Sequence, residues 1–331
     1  MDEIKDILKA VDKAEHIVIT SHRSPDGDSI GSSLGWYRFL KKIGKNPVIC
    51  HPDSCPQFLT WMLDGDPIET FEADPVEVEA HLMSADLIFC LDYNASGRLG
   101  TEMGDVLDAA SAPKIRIDHH PGPSLETSVS MAHPEVCSTS QLVLECILQS
   151  EHSDKLDARI GGPLYLGMVT DTGSFRFSSV DARTHELVAE LIRCGVNHSE
   201  IHEKTFDTNR LEKLKLRGYA IAEKTEIVQP QGVAIISLTK EDLDRFNYQK
   251  GDTEGLVNVA LSIEGVDVSV FLMEKEGEVK MSFRSLGSIP VNELARIHFN
   301  GGGHLNAAGG RSEDSLSGTI DQLKTLIPEF F

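Results

Sequence analysis

The 331-residue sequence predicts an α/β fold, a mostly parallel sheet flanked by helices, followed by a smaller α+β lobe with a cleft between the two. Three observations predict it. Short apolar runs recur through the first 120 residues (His16-Ile-Val-Ile-Thr20, Pro47-Val-Ile-Cys50, Asp86-Leu-Ile-Phe-Cys-Leu91, Lys114-Ile-Arg-Ile117) with helical patterns between them. These runs are continuous rather than alternating, as in parallel strands covered on both faces. Beyond about residue 225 the period changes, and strands recur with fewer helices between them.

Taken in order, Ile4, Ile7, Leu8 and Val11 have the spacing of an amphipathic helix and lead into the first strand. A polar loop at 21–28 precedes a second helix carrying Ile30, Leu34, Trp36, Tyr37 and Leu40. From 138 to about 205 the pattern is helical: Leu142, Val143, Cys146 and Ile147, then 164–169, then Leu187, Val188, Leu191 and Ile192. Residues 208–225 form a charged helical stretch that reads as a linker; Lys213, Lys215 and Arg217 on it read as a solvated face. Strands follow at 232–238, 266–273 and 278–285, the last two flanking a Lys-Glu-Gly turn. The expected domains are 1–207 and 226–331.

Composition narrows the function. With 31 Lys and Arg against 52 Asp and Glu, the net charge is −21, which argues against a general binder of long duplex DNA. Any nucleic-acid substrate should therefore be short. Six cysteines without a C-x-x-C pair suggest a reduced, cytoplasmic chain. The first residues lack a basic and apolar leader, and no apolar run reaches the ~18 residues of a membrane span. No membrane partner is expected, and apolar helices in the first lobe could support a homodimer.

In open α/β sheets ligands bind beyond the carboxyl ends of the strands, so the residues there carry the chemistry. Ser21-His22-Arg-Ser-Pro-Asp26-Gly-Asp28 follows the first strand, Asp92 follows the Leu91 run, Asp118-His119-His120 follows Ile117, and Asp171-Thr-Gly closes a helical run. Any one of these has an ordinary reading: Asp-Gly-Asp suits a turn and Asp28 a helix N-cap. Together they would crowd five carboxylates (Asp26, Asp28, Asp92, Asp118, Asp171) into one crevice, and their repulsion requires positive charge among them. Oxygen ligands with one or two imidazoles suit Mn²⁺, or Mg²⁺ or Co²⁺, better than a thiolate-type zinc site. More than four ligands suggests two metal ions, a pair able to activate water and neutralise phosphoryl oxygens.

His22-x-x-x-Asp26-Gly-Asp28, Asp92, Asp118-His119-His120 and Asp171 together resemble the motifs of the DHH phosphoesterase superfamily. The resemblance implies that His22, Asp26 and Asp92 hold one metal, and Asp28, Asp92, His119 and Asp171 the other, with Asp92 bridging. It also implies that Asp118 orients an imidazole and that His120 lies beside the substrate phosphate.

In the second lobe, Gly301-Gly302-Gly303-His304-Leu-Asn-Ala-Ala-Gly is the dense motif. A helix beginning near His304 would aim free N–H groups at an anion, and Arg284 could join His304 in gripping it. Glycine turns with small-residue packing are the structural alternative. The motif is similar to the signature of the DHHA1 substrate-binding domain. A DHH–DHHA1 chain of this length resembles the NrnA-type enzymes, which implies hydrolysis of very short RNA to nucleoside monophosphates and of 3′-phosphoadenosine 5′-phosphate (pAp) to AMP. Arg98, Arg116 and Arg176, near the metal motifs, are further phosphate contacts to consider. The alternatives are a cyclic-dinucleotide or pApA phosphodiesterase, an inorganic pyrophosphatase, a RecJ-like exonuclease and a non-catalytic nucleotide-binding module. The Asp171-Thr-Gly match to aspartic proteases fails because only one copy exists.

Overall fold

A computed structural model describes residues 2–275 and 277–331. Its contacts group into two units, one ending at Thr208 and one spanning Asn209–Phe331. The middle residue of the expected Lys-Glu-Gly turn, Glu276, lies outside the described residues. Among the described residues no helix is long and apolar enough to cross a membrane.

The first unit begins α1 (Asp2–Lys13), β1 (Ile17–Thr20), α2 (Gly27–Lys42), β2 (Val48–His51), β3 (Glu69–Thr70), α3 (Pro75–Ser84) and β4 (Leu87–Leu91). It continues α4 (Thr101–Ala109), β5 (Lys114–Asp118), β6 (Val129–Ala132), α5 (Thr139–Leu148), α6 (Ala158–Asp171), α7 (Ala182–Arg193) and α8 (His198–His202). The six strands form one sheet in the order β3-β2-β1-β4-β5-β6, and every pairing is parallel. Both faces are covered, as the continuous apolar runs predict. Ile17, Ile19, Phe89 and Ile115 pack in one cluster with α1, α2, α5 and α6, while Val18, Ile88 and Cys90 pack with α3 and α4. β3 (Glu-Thr) has no apolar residue and β6 (Val-Ser-Met-Ala) is only four residues long with a serine inside it, so neither stands out as a continuous apolar run. They are the two edge strands.

Two consequences of this topology position the functional residues. A parallel sheet puts the carboxyl end of every strand on one edge, so the segments after Thr20, Leu91 and Asp118 emerge together. The order reverses between β1 and β4, the switch point where loops on that edge diverge and leave a crevice. Helices α2 and α6 also touch backbone to backbone. A Cβ on Gly31 would lie 2.4 Å from the Pro163 carbonyl oxygen, and one on Gly27 would lie 2.2 Å from Thr170 Oγ1. This approach sets Asp28, in the first turn of α2, beside the last turn of α6 that carries Asp171.

The second unit comprises α9 (Leu211–Glu223), β7 (Thr225–Val228), β8 (Val233–Leu238), α10 (Lys240–Arg245), α11 (Leu256–Ala260) and β9 (Val268–Lys275). There follow β10 (Glu278–Ser285), α12 (Val291–His298), β11 (Gly302–His304), β12 (Ala307–Ser312) and α13 (Leu316–Phe330). Its mixed sheet runs β11-β12-β10-β9-β8-β7, with β8 and β9 parallel and the other pairs antiparallel. The charged stretch read as a linker is α9, and it belongs to this unit: Leu216 and Ala220 are fully buried with Ala234, Ile236 and Leu238.

The helix expected from His304 is absent. Residues 302–312 form the hairpin β11–β12 instead. The glycines explain why: a Cβ on Gly301 would lie 2.0 Å from the Gly309 carbonyl oxygen, and one on Gly303 2.3 Å from that of Ala307, with Gly303 at φ 148°. Both are required by close approach of the chain to itself, which a helix would not need.

Substituting Gly31→Ala should lower the stability of the first unit by ~1–3 kcal/mol, through overpacking against Pro163 in α6. The change is measurable as a lower urea midpoint with an unchanged m-value.

Candidate metal centre

Asp26 caps α2, its Oδ1 accepting the Asp28 and Ser29 amide hydrogens at 3.0 Å each. Its other oxygen lies 3.7 Å from His22 Nε2, and the side chain is more than half exposed. Asp28 is buried and held by the N-terminus of α5, where the Thr139 and Ser140 amides donate to its two oxygens at 2.7 and 2.9 Å. Helix N-terminal N–H groups favour a carboxylate at this point. Asp92 follows β4 at φ 64°, a conformation a non-glycine residue adopts only when its surroundings impose it. Its amide donates to the Ile117 carbonyl and its Oδ1 accepts from the Thr139 hydroxyl at 2.9 Å.

The imidazoles complete the cluster. His22 Nδ1 donates to its neighbour's carbonyl, Arg23 O, at 2.9 Å, which places the proton on Nδ1 and turns Nε2 toward the carboxylates. Nε2 of His22 lies 3.3 Å from Asp92 Oδ2. His119 is arranged alike, with Nδ1 3.3 Å from the Val136 carbonyl and Nε2 3.3 Å from Asp171 Oδ2, 3.6 Å from Asp92 Oδ1 and 4.0 Å from Asp28 Oδ2. The two oxygens of Asp92 thus face different histidines. His120 Nδ1 donates to Asp118 Oδ1 at 2.8 Å, and the same oxygen accepts the His120 amide at 3.0 Å. The imidazole oriented by fully buried Asp118 is therefore that of His120. Its Nε2 lies 3.5 Å from an Arg98 guanidinium nitrogen.

Electrostatics supply the test of whether these residues suit a cation. Burial works against charge on His22, but Asp26 and Asp92 outweigh it and hold the ring at about 9. Burial is likewise overcome at His119 by Asp171, Asp92 and Asp28, again to about 9. Burial pushes Asp28 well above the carboxylate range, with Asp92 and Asp171 adding to it. Asp171 is pushed up to about 7, chiefly by burial, against the pull of His119. Asp92 goes the other way: burial raises it, but the hydrogen bond and charge of His22, then His120 and His119, carry it below the usual range. The protein alone gathers protons at this spot, and divalent cations would supply the same positive charge.

Three groups of side chains have ligand atoms within 4.8 Å of one another: His22, Asp26 and Asp92; Asp28, His119 and Asp171; and Asp92, His119 and His120. These groups could hold a metal ion, and every residue expected to be a ligand falls in one of them.

Other expected contacts divide. Arg98 reaches His120, whereas Arg116 is buried and committed to the Leu125 carbonyl and the Ser130 hydroxyl, which makes it a brace of the sheet rather than a phosphate contact. Arg176 is exposed, its Nε donating to the Gly173 carbonyl. In the second unit, Arg284 and His304 lie on one face of the sheet, since the register places Ala307 opposite both. The grip of α5 on Asp28 and Asp92 was not anticipated. Ser138-Thr139-Ser140 before an apolar run signals a helix start, but not what that start would hold.

The site and the parallel sheet define a phosphoesterase of DHH type, and the comparisons agree. The chain belongs to the DHH family: residues 16–168 match the DHH family N-terminal domain and residues 231–331 the DHHA1 domain. Within that family its relatives include proteins of NrnA type. It is 32% identical to the bifunctional oligoribonuclease and PAP phosphatase NrnA of Thermus thermophilus over 92% of this chain and 86% of that protein. With the NrnA of Bacillus subtilis it shares 27% identity over 98% of both. A crystal structure of an exopolyphosphatase-related protein from Bacteroides fragilis superposes with a TM-score of 0.96 at 37% identity, covering 99% of this chain and 96% of that one. DHH phosphoesterases are metal-dependent hydrolases, and the acidic and histidine groups of this crevice could bind the metal.

Mn²⁺ at a hundredfold excess over its Kd should raise the stability of the wild-type chain by about 2.7 kcal/mol, read as a thermal-melt shift that EDTA reverses. The Asp92→Ala variant should lose that shift while keeping its circular-dichroism spectrum. A full shift in the variant would exclude Asp92 as a ligand.

Proposed function

We propose that this chain hydrolyses short oligoribonucleotides to nucleoside monophosphates and converts pAp to AMP, using two divalent ions. The observation that carries the reading is the convergence of His22, Asp26, Asp28, Asp92, His119 and Asp171 on one sheet edge. It is supported by two relatives named for these activities that align over most of the chain.

His22, Asp26 and Asp92 would hold one ion and Asp28, Asp92, His119 and Asp171 the other, with Asp92 a ligand to both. The oxygen and imidazole donors match Mn²⁺ best, then Mg²⁺ or Co²⁺. When bound, such ions lower the pKa of water and neutralise phosphoryl oxygens. The remaining roles belong to the protein. Asp118 fixes His120 with Nε2 turned toward Arg98, so the imidazolium form of His120 can give its Nε2 proton or a hydrogen bond to an oxygen of the substrate phosphate while Arg98 offsets the phosphate's charge. Arg284 and His304 of the second unit hold a substrate phosphate; Gly301 and Gly303 build the hairpin that presents His304, and Gly302 leaves its backbone open to the ligand. The surplus of negative charge restricts the substrate to few phosphates, since each added one must be matched locally.

A Mn²⁺-supplemented panel of pAp, ribodinucleotides, ribopentamers, pApA, cyclic dinucleotides and pyrophosphate tests this, read as initial rates. Mononucleotide release from the ribodinucleotide and phosphate release from pAp are expected to lead; absence of both sinks the proposal. Faster turnover of pyrophosphate or a cyclic dinucleotide would reassign the enzyme. His120→Ala should lower kcat about 10²–10⁴-fold with the Mn²⁺ melt shift retained. Arg284→Ala should raise KM more than it lowers kcat, and unchanged kinetics would remove it from the phosphate grip.

A further inference from the structure

Thr139 opens α5 directly after the N-cap Ser138 and is wholly buried. At the first helical position its N–H has no partner within the helix, and its hydroxyl has no earlier turn whose carbonyl it could bond. Both groups turn to the crevice instead. The amide donates to Asp28 Oδ2 at 2.7 Å and the hydroxyl to Asp92 Oδ1 at 2.9 Å. One residue thus ties together two carboxylates that arrive on different elements, Asp28 in the first turn of α2 and Asp92 beyond β4. Those two carboxylates repel each other, since Asp92 is among the groups that push Asp28 toward its protonated form.

Thr139 itself has little room to move. The Ser138 hydroxyl accepts the Gln141 amide hydrogen at 3.1 Å, and Gln141 Oε1 in turn accepts the Thr184 hydroxyl from α7 at 2.9 Å. Helix α6 presses against the same turn: a Cβ on Gly167 would lie 2.0 Å from Ser140 Oγ and 2.6 Å from Asp28 Oδ1. Threonine adds its own stiffness, because β-branching restricts χ1. Asp92 is oriented as a result. Its Oδ2 lies 3.3 Å from His22 Nε2, while Oδ1 is held by the Thr139 hydroxyl. One donor uses one acceptor direction of a carboxylate and leaves the others for a cation.

We propose that Thr139 is a positioning residue of the metal centre: it holds Asp28 and Asp92 at a set separation, so that the crevice takes up a divalent cation without reorienting either carboxylate. The inference rests on the cation-binding part of the reading above and on no particular substrate. Groups that orient the ligands of a metal matter to affinity nearly as much as the ligands, and losing one costs about 10–100-fold. Side-chain substitution leaves the Thr139 amide in place, so the hydroxyl is the part that mutation tests. Its removal frees Asp92 while Asp28 stays gripped by the two amides.

The test uses the full-length chain, stripped with EDTA and titrated with Mn²⁺, the free ion being read by its electron paramagnetic resonance signal. Thr139→Val, which keeps the shape and removes the donor, should raise the Mn²⁺ Kd about 10–100-fold. Thr139→Ser retains the hydroxyl and should bind close to wild type. Thr319→Val removes an equally buried hydroxyl, bonded to Ser312 in the second unit, and should leave the Kd unchanged. With a ribodinucleotide, Thr139→Val should be slow at limiting Mn²⁺ and regain kcat in excess Mn²⁺ at an unaltered KM. A wild-type Mn²⁺ Kd in Thr139→Val, or a Thr139→Ser variant as weak as Thr139→Val, overturns the role. Thr139→Ala, which a first helical turn accepts, puts the same question should circular dichroism show Thr139→Val unfolded. A wild-type chain that binds no Mn²⁺ overturns the metal centre and this role together. Failure of the Mn²⁺-loaded wild type to hydrolyse pAp or the dinucleotide sinks only the proposed substrates, and the affinity comparison still decides Thr139.

Discussion

Repulsion among carboxylates that the fold forces together is the constraint on which the first unit is built. Asp28 and Asp92 are almost wholly buried, and Asp171 sits against the same histidine that faces both. Unpaired charges in such a place are costly enough that groups neutralise or seek partners. The protein meets part of that cost itself, through the N-terminus of α5 for Asp28, the Thr139 hydroxyl for Asp92, and Nε2 of His22 and His119. Asp28 and Asp171 nonetheless remain displaced toward their protonated forms. A site that holds its ligands this close before any cation arrives needs little rearrangement to bind one, and the left-handed backbone at Asp92 is strain kept for that geometry.

The convergence follows from strand direction more than from local sequence. Antiparallel strands would send alternate carboxyl ends to opposite edges and separate His22 from Asp92. In the all-parallel sheet, β1, β4 and β5 deliver His22, Asp92 and His119 to one edge, and the change of strand order between β1 and β4 opens the space there. Asp171 comes instead from the last turn of α6. It is brought in by the glycine contacts of α2 with α6, so Gly27 and Gly31 act on the site without touching a ligand atom.

Much of this was legible in the chain because the signals were local and repeated. Four apolar runs each ended in Asp or His, and the parallel arrangement could be argued from their unbroken hydrophobicity. What the sequence hid depended on distant contacts. The hold of α5 on Asp28 joins residues 111 positions apart, and a capping sequence carries no record of a second client. Arg116 looked like a phosphate ligand because it precedes the Asp118 motif, yet its place within β5 turns it toward Leu125 and Ser130. The helix expected at His304 failed for a related reason: glycine was read for what it permits a ligand to do, whereas Gly301 and Gly303 serve the chain's own close passage.

That distinction within one motif bears on what the sheet face beside the hairpin presents. Gly301 and Gly303 build the β11–β12 hairpin, and the hairpin holds His304 on the same sheet face as Arg284. Gly302 and Gly309, spared any such duty, keep that face low between its cations. Of this unit's cations only Lys275, Lys280, Arg284 and Arg311 stand on strands, and the last three line a cavity over that sheet, so the register sets the spacing of positive charge there. Beyond about a Debye length, ~8 Å at physiological salt, the overall excess of Asp and Glu outweighs them.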